Sequence, residues 1–131
     1  MHRLFLVLAL TLAAAAVAGC GGSDDSEGTT PAEAVNEISE IRAMLDEAVA
    51  DYRSGRPAAA EQAVGDAYLE HFEDVEDPLG ERDHELMEEI EEALATDLRN
   101  DMKAGKPAAE IEAAAQDIDR DLDRAVAALQ E

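Results

Sequence analysis

The 131-residue chain contains no tryptophan, only two phenylalanines and two tyrosines, and a single cysteine, Cys20. One cysteine excludes an internal disulfide framework. Basic residues are also scarce: 10 lysines and arginines stand against 32 aspartates and glutamates, which gives a formal net charge of −22. The negative electrostatic potential of such a chain repels nucleic acids and anionic lipid headgroups, and it attracts metal cations and basic protein surfaces. We therefore expect no nucleic-acid partner.

The sequence also lacks the patterns of common catalytic sites. No serine lies beside a candidate histidine base, and the glycines fall in turns rather than in a phosphate-binding loop that follows a strand. Carboxylates are so frequent that a neighbouring pair of them carries no information about catalysis. We expect that the protein is not an enzyme.

The amino-terminal residues carry the pattern of a secretory signal. His2 and Arg3 precede an uncharged apolar stretch, residues 4–16, and Val17-Ala18-Gly19-Cys20 follows. A basic start, an apolar run of about 7–15 residues and small residues at a cleavage site define such a peptide. The apolar run is shorter than the roughly 20 residues that span a bilayer, which argues against an ordinary transmembrane anchor. A plain secreted protein would not require a cysteine at this place.

The last four residues of this pattern resemble the lipobox of bacterial lipoproteins. The resemblance implies that residues 1–19 are a signal peptide and that Cys20 becomes the lipidated first residue of the mature chain, carrying acyl chains such as palmitate. Each buried methylene of such a chain contributes about 0.8 kcal/mol to membrane binding. We therefore expect an extracytoplasmic protein that the lipid on Cys20 anchors to the cell membrane.

The remaining chain divides into a linker and one domain. Residues 20–30 hold the lipidated cysteine and a polar stretch without apolar residues, which is typical of a flexible tether. Residues 31–131 form the acidic domain. At its start, Thr30, Pro31 and Glu33 provide an N-cap, a first-turn proline and a capping-box glutamate, so a helix begins here. Apolar residues at spacings of three and four continue this helix to about Ser54.

A seven-residue pattern that occurs twice predicts two turns between helices. Arg53-Ser54-Gly55-Arg56-Pro57-Ala58-Ala59 is matched 50 residues later by Lys103-Ala104-Gly105-Lys106-Pro107-Ala108-Ala109. Each glycine suits the left-handed residue that ends a helix, and each proline suits the first turn of the next helix. The sequence therefore predicts two helical hairpins in tandem.

The helices beyond the first are predicted from the same apolar periodicity. Their expected ranges are Pro57 to about Glu76, about Asp83 to Ala104, and Pro107 to Gln130, with Asp77-Pro78-Leu79-Gly80 ending the second helix. Short connections make neighbouring helices antiparallel. The predicted fold is all-α: an antiparallel up-down-up-down four-helix bundle after a signal peptide and a flexible tether. Tyr68 and Phe72 are expected in its core.

The second and third helices resemble a known domain. Tyr52, Gly55, Val64, the run 67–73, Glu76 and the stretch 87–94 are similar to the extracytoplasmic helical domain attached to some bacterial high-affinity iron permeases. The resemblance covers roughly residues 46–129. The permease itself is absent, since this chain contains neither further transmembrane segments nor an Arg-Glu-x-x-Glu sequence. The resemblance implies a separate accessory domain that handles metal near a transporter.

Two histidines suggest where a metal would bind. His71 is expected near the end of the second helix and His84 near the start of the third, so the loop between them brings both to one end of the bundle. Glu88 lies one turn after His84, which points both side chains the same way. Imidazole and carboxylate ligands together suit iron, copper or zinc. The candidate metal ligands are His71, His84, Glu70, Glu73, Asp74 and Glu88.

Two functions are consistent with these patterns. The first is a membrane-anchored extracytoplasmic lipoprotein that binds metal cations as an accessory of iron or other metal uptake. The second is a metal-independent acidic helical module that docks a transporter or another envelope protein. The cluster of histidines and acids distinguishes the two functions. In the first function these side chains bind the metal. In the second, His71 is a residue beside the core and His84 is a first-turn surface residue.

Overall fold

The computed structural model describes residues 28–131, which form four helices and contain no strand. Helix α1 is Pro31–Arg53, α2 covers residues 57–80, α3 covers residues 84–103, and α4 is Ala108–Leu129. The all-α prediction is confirmed. The predicted signal peptide, Cys20 and the tether as far as residue 27 lie outside the described residues.

Helix α1 begins with the predicted capping box. The backbone N–H of Glu33 donates to Thr30 Oγ1 at 3.3 Å, and the backbone N–H of Thr30 donates to Glu33 Oε2 at 2.9 Å. These two bonds satisfy donors that the first turn of a helix leaves without partners. The hydrogen bond from the Thr30 hydroxyl, and then that from its backbone, hold the pKa of Glu33 below its ordinary value.

The two repeated turns have the predicted backbone. Gly55 and Gly105 adopt left-handed conformations, with φ of 78° and 70°. Pro57 is the first residue of α2, whereas Pro107 precedes α4, which begins one residue later than predicted. The Tyr52 hydroxyl donates to the Lys106 carbonyl at 2.7 Å, so the two turns lie side by side.

The prediction that Pro78 ends the second helix is wrong. Helix α2 continues through this residue to Gly80, although proline supplies no N–H for the carbonyl four residues earlier. Pro78 and Leu79 are buried, and the helical hydrogen bond from the Glu81 N–H to the Asp77 carbonyl (3.1 Å) follows them. Burial of these two apolar side chains in the last turn therefore keeps the helix intact despite the missing donor.

The core runs the length of the bundle and is built mainly from aliphatic side chains, with Phe72 as its largest buried residue. No polar or charged residue of the described range is buried. Within the same range, no helix combines the length and hydropathy needed to cross a membrane. The buried apolar side chains of α1 and α4 are Ala34, Ile38, Ile41, Leu45, Ala48, Ile111, Ala115, Ile118, Leu122, Ala125 and Leu129.

Helices α2 and α3 each contain one π-helical turn, at Tyr68–Phe72 and Ala93–Asp97. The spacing of buried residues explains this difference from α1 and α4. In α1 and α4 buried positions alternate at four and three residues, which stays close to one face of an α-helix. In α3 they recur strictly every four residues, at Leu86, Ile90, Leu94, Leu98 and Met102. Each such step overshoots a full α-helical turn by about 40°, and a wider π turn compensates for the drift.

Candidate functional site

His71 lies in the π-helical turn of α2 and contacts α1. Its Nδ1 is 2.7 Å from Glu37 Oε2, and the two side chains are only 23% and 28% exposed. His71 therefore contacts Glu37, a carboxylate that is not among the predicted metal ligands. This pair joins α1 to α2.

His84 is the first residue of α3. The side chain of Asp83 caps this helix by accepting a hydrogen bond from the Leu86 N–H at 3.0 Å. His84 Nε2 is 3.3 Å from Glu88 Oε1, and these side chains are 69% and 64% exposed. His71 and His84 thus have separate carboxylate partners, one at a helix contact and one in solvent.

The other predicted ligands do not complete a site with the histidines. Glu70 and Glu73 are exposed, and Asp74 accepts a 3.3 Å hydrogen bond from the Thr29 hydroxyl. Among residues 28–131, no group of three or more histidine, cysteine, aspartate and glutamate side chains is arranged to hold a metal ion. The geometry of the described chain therefore does not add to the sequence argument for a metal site.

A different cluster joins α2 to α3. The Tyr68 hydroxyl donates to Glu91 Oε1 at 3.3 Å, and Glu76 lies in the same cluster, where both Glu91 and Glu73 act on its charge. Glu76 Oε1 is buried and has no hydrogen-bond partner. We call Tyr68, Glu76 and Glu91 the seam cluster. Its unpartnered oxygen carries a desolvation cost that no donor offsets.

The ionisation of the seam cluster reflects burial and like charge. Burial is the main cause that raises the pKa of Glu76 above its ordinary value; repulsion from Glu91, Glu73 and Asp77 adds to it, and the Tyr68 hydroxyl acts in the opposite direction. Burial also raises the pKa of Tyr68, with Glu76 and Glu91 next in importance. Glu76 and Tyr68 therefore favour their protonated, neutral forms more than isolated side chains would.

The sequence predicts Tyr68 in the core and does not single out Glu91 as a site residue. Tyr68 is half-buried, and its ring packs near that of Phe72 at a centroid distance of 6.3 Å. The sequence contains one indication that Glu76 faces the neighbouring helices. Ala60, Val64, Tyr68, Phe72 and Glu76 are each four residues apart, so Glu76 continues the series that faces the neighbouring helices.

Basic side chains are distributed unevenly around the seam cluster. Between residues 62 and 98 the sequence has 14 aspartates and glutamates, and Arg82 is its only arginine or lysine. Of these acids, Glu89 alone pairs with an arginine in the structure, and Glu88 contacts the imidazole of His84. By contrast, ion pairs join α1 to α4, α3 to α4, and the far ends of α2 and α3; they are Arg42–Asp119, Arg42–Asp123, Arg53–Glu112, Arg124–Glu89, Arg99–Glu61 and Lys103–Glu61.

One large apolar side chain stands out on this acidic part of the surface. Leu69, in the π-helical turn of α2, is 57% exposed, and no other large hydrophobic residue of the described range is exposed. Glu70 and Glu73 on the same helix are also exposed. We call Leu69, Glu70 and Glu73 the outer face of α2.

No protein-family model matches this chain, and neither a curated protein nor a solved structure shows significant similarity to it.

Proposed function

We propose that this chain is a membrane-anchored extracytoplasmic lipoprotein whose acidic helical bundle docks a basic surface of an envelope protein or membrane transporter. The lipobox-like residues that end at Cys20 support the anchor. The observation that carries the docking function is the stretch of residues 62–98, which contains 14 acids and a single arginine, and in which only Glu89 is paired with an arginine. An uncompensated field of one sign speeds encounter with a partner of opposite charge and disfavours partners of like charge.

The outer face of α2 adds an apolar contact to this field. A partner that offers an apolar contact for Leu69 and basic groups for Glu70 and Glu73 would meet both kinds of surface at once. Exposed charges alone contribute little affinity in salt, because solvent and ions screen them. The apolar contact therefore contributes the larger part of the affinity at physiological ionic strength, and the charges of Glu70 and Glu73 add to it.

We also propose that the four helices form two consecutive hairpins in an up-down-up-down arrangement. In the contacts between α2 and α3, residue numbers rise on one helix as they fall on the other: Glu61 meets Arg99, and Tyr68 meets Glu91. The contacts between α1 and α4 behave in the same way, from Arg42 with Asp119 to Arg53 with Glu112. Opposed numbering of this kind supports antiparallel neighbours.

Docking is tested with residues 28–131, which contain the whole described core, and with two synthetic helical peptides of equal positive charge. In one peptide leucines recur at spacings of three and four among lysines, so that one face of its helix is apolar, and in the other peptide serine replaces leucine. We expect calorimetry in 150 mM salt to show at least tenfold tighter binding of the amphipathic peptide. Leu69→Ser should remove most of this preference. Equal affinity of the two peptides for the unaltered protein would contradict the proposal.

Charge-reversed variants distinguish binding at a specific surface of α2 from an effect of the overall net charge. Reversal of Glu70 and Glu73 to lysine on α2 should weaken binding of the amphipathic peptide by at least tenfold. The same reversal of Glu40 and Glu47, which are exposed on α1, changes the net charge equally. An equal loss in both variants would mean that the peptide senses only the overall charge.

Metal handling in iron or other metal uptake is the competing function, and it predicts a different result. Calorimetric titration of residues 28–131 with ferric, ferrous, cupric and zinc ions should then show stoichiometric binding. That binding should disappear when both His71 and His84 are replaced by alanine. This outcome would overturn the metal-independent proposal, whereas weak binding that salt suppresses and the double variant retains would support it.

The anchor is tested with the full chain in a bacterial host. Metabolic labelling with radioactive palmitate should mark the protein, and Cys20→Ser should abolish the label and release the protein from the membrane fraction. Retention of both label and membrane association in Cys20→Ser would refute lipidation at this residue.

A further inference from the structure

The connection between α2 and α3 is built differently from the two repeated turns. Each repeated turn contains a glycine with a positive φ, Gly55 or Gly105, and such a residue ends a helix. Residues 81–83, which connect α2 to α3, include no glycine, and Glu81 keeps a helical backbone with φ −68° and ψ −23°. The two turns therefore fix the bend within each hairpin, whereas no left-handed glycine fixes the bend between the hairpins.

The bend between α2 and α3 is concentrated at Asp83. Its N–H donates to the Leu79 carbonyl at 2.7 Å, and its carbonyl accepts from the Met87 N–H at 3.0 Å, so the α-helical spacing of four residues reaches it from both sides. Its side chain also caps α3 by accepting from the Leu86 N–H. Its own φ of −150° and ψ of 86° lie far from helical values. A change of backbone conformation at this hinge would join α2 and α3 into one helix.

The sequence permits one continuous helix across this hinge. No proline occurs in residues 79–103, so every residue from Asp83 onward can donate its backbone N–H. With a helical Asp83, the N–H groups of His84 and Glu85 would each face a carbonyl four residues earlier, whereas the first turn of a separate helix leaves such donors without helical partners. The joined helix, residues 57–103, would be about 70 Å long at 1.5 Å per residue.

A straight helix would separate the two hairpins of one chain. Its α3–α4 hairpin would leave the core that it shares with α1 and α2, and the apolar faces of both hairpins would then need new cover. The same hairpin from a second copy carries the same side chains and can restore every lost contact. The ion pairs and hydrogen bonds restored in this way would be Arg42–Asp119, Arg53–Glu112, Arg99–Glu61 and Tyr68–Glu91.

We propose that two copies of this chain form an exchanged dimer. In this dimer Asp83 becomes helical, α2 and α3 join into one helix, and the α1–α2 hairpin of each copy packs against the α3–α4 hairpin of the other. Because the interfaces between the hairpins are those of the single chain, exchange is a low-cost route to association. This inference rests on the two-hairpin arrangement proposed above and is independent of docking.

Charge opposes the exchanged dimer, and salt weakens that opposition. Asp77, Glu81 and Glu85 are four residues apart, so a joined helix would bring like charges together on one face. The bent hinge instead places Asp83 and Glu85 at the start of α3, where the helix dipole favours negative charge. Two copies with a formal net charge of −22 each also repel one another. Because ions screen all these effects, we expect the exchanged dimer to be favoured at high salt.

The first test measures molecular mass by light scattering after size exclusion. Residues 28–131, which contain the whole described core, are refolded from urea at high protein concentration in 500 mM salt. We expect a dimer whose share falls when either the salt or the protein concentration during refolding is lowered. Insertion of Gly-Ser-Gly-Ser after Arg82 should remove the dimer, because a longer connection lets each chain close on itself. A chain that stays monomeric, or a dimer that survives the insertion, would overturn the proposal.

The hinge itself is tested by Asp83→Ala, with Thr30→Ala as the matched control. Asp83→Ala removes the cap that favours the bent hinge. Loss of a cap shifts such a balance about fivefold, and a dimer opens two hinges, so the dimerisation constant should rise about 25-fold. Thr30→Ala removes the cap of α1 and leaves the hinge unaltered, so its dimerisation constant should stay within twofold of that of the unaltered protein. An equal rise in both variants would overturn exchange at Asp83.

The second test measures a distance within one chain by pulsed electron paramagnetic resonance. Spin labels are attached through Gln62→Cys and Thr96→Cys, two exposed positions of residues 28–131, a range without other cysteines, and labelled chain is diluted with unlabelled chain before refolding. In one bundle these positions lie at a similar level of α2 and α3, since Glu61 contacts Arg99, and facing helix axes are about 8–10 Å apart. In the joined helix the two positions would be about 51 Å apart. We expect the long distance in the dimer and the short distance in the monomer. A short distance in the dimer would overturn the exchange and leave the two-hairpin arrangement intact, whereas a long distance in the monomer would overturn both.

Discussion

Replacement of Gly65 by alanine tests how closely α2 and α3 approach each other. Gly65 is a buried helical residue, and a Cβ built on it would lie 3.3 Å from Arg99 Cζ and 3.4 Å from Arg99 Nε. Arg99 in turn donates from Nε to Glu61 Oε1 at 2.7 Å, with side chains that are only 29% and 20% exposed. A methyl group at this position would therefore push on a guanidinium that a carboxylate holds in place.

Two opposing effects decide the result. Alanine is about 1 kcal/mol more favourable than glycine inside a helix. Displacement of Arg99 by a few tenths of an ångström weakens a charge-assisted hydrogen bond of the class worth about 1.5–3 kcal/mol, and a partial loss of this bond is enough to cancel the gain. We expect Gly65→Ala to change the free energy of unfolding by less than about 0.5 kcal/mol in the unaltered protein. In an Arg99→Ala background it should stabilise the protein by about 1 kcal/mol.

The four proteins of this double-mutant cycle are compared by urea unfolding at pH 7, followed by circular dichroism at 222 nm. A coupling free energy of about 0.5–1 kcal/mol between the two sites would match the tight contact. If Gly65→Ala stabilised the protein equally in both backgrounds, the guanidinium would not lie over the glycine, and the argument from close approach would fail.

Three further changes test single contacts by the same unfolding assay. Thr30→Ala removes the N-cap of α1 and should cost about 1 kcal/mol, and no loss would show that the capping box contributes nothing. Gly105→Ala places a Cβ on a left-handed residue and should cost about 1–2 kcal/mol, whereas an unchanged midpoint would exclude that conformation in solution. The hydrogen bond from Arg99, and then that from Lys103, lower the pKa of Glu61, so Glu61 stabilises the folded state above its ordinary pKa and loses this effect as the pH falls further. Glu61→Gln should therefore be less stable than the unaltered protein at pH 7 and approach it as the pH falls through the folded pKa of Glu61, and a constant difference would contradict this assignment.

The fold class and most helix boundaries could be predicted from local features. Thr30 and Glu33 define the start of α1, and Gly55 and Gly105 define two turns, because caps and left-handed residues depend on neighbours in the sequence. The interruption at Pro78 was predicted wrongly, since proline is normally unfavourable inside a helix. Only the packed structure reveals that its ring and Leu79 are buried, which outweighs the missing hydrogen bond.

The candidate site was less accessible to sequence reasoning. The one-turn spacing of His84 and Glu88 is a local property, and these side chains are 3.3 Å apart. The contact of His71 with Glu37 joins residues 34 positions apart, and that of Tyr68 with Glu91 joins residues 23 positions apart. Such contacts depend on the rotation of one helix against another, which periodicity alone does not determine. The strict four-residue spacing in α3 was nevertheless a readable sign of its π-helical turn.

The uneven placement of arginines has a consequence for the order in which the bundle opens. Arg42 and Arg53 cross-link the first and last helices, whereas the middle of the contact between the second and third helices is held by apolar packing and the seam cluster. Brief opening of the native state should therefore start along the contact between α2 and α3. Amide hydrogens of residues 66–76 and 88–97 would then exchange with solvent sooner than those at the centre of α1. The contact between α1 and α4 would remain intact during this opening, and α2 and α3 would pack back onto it.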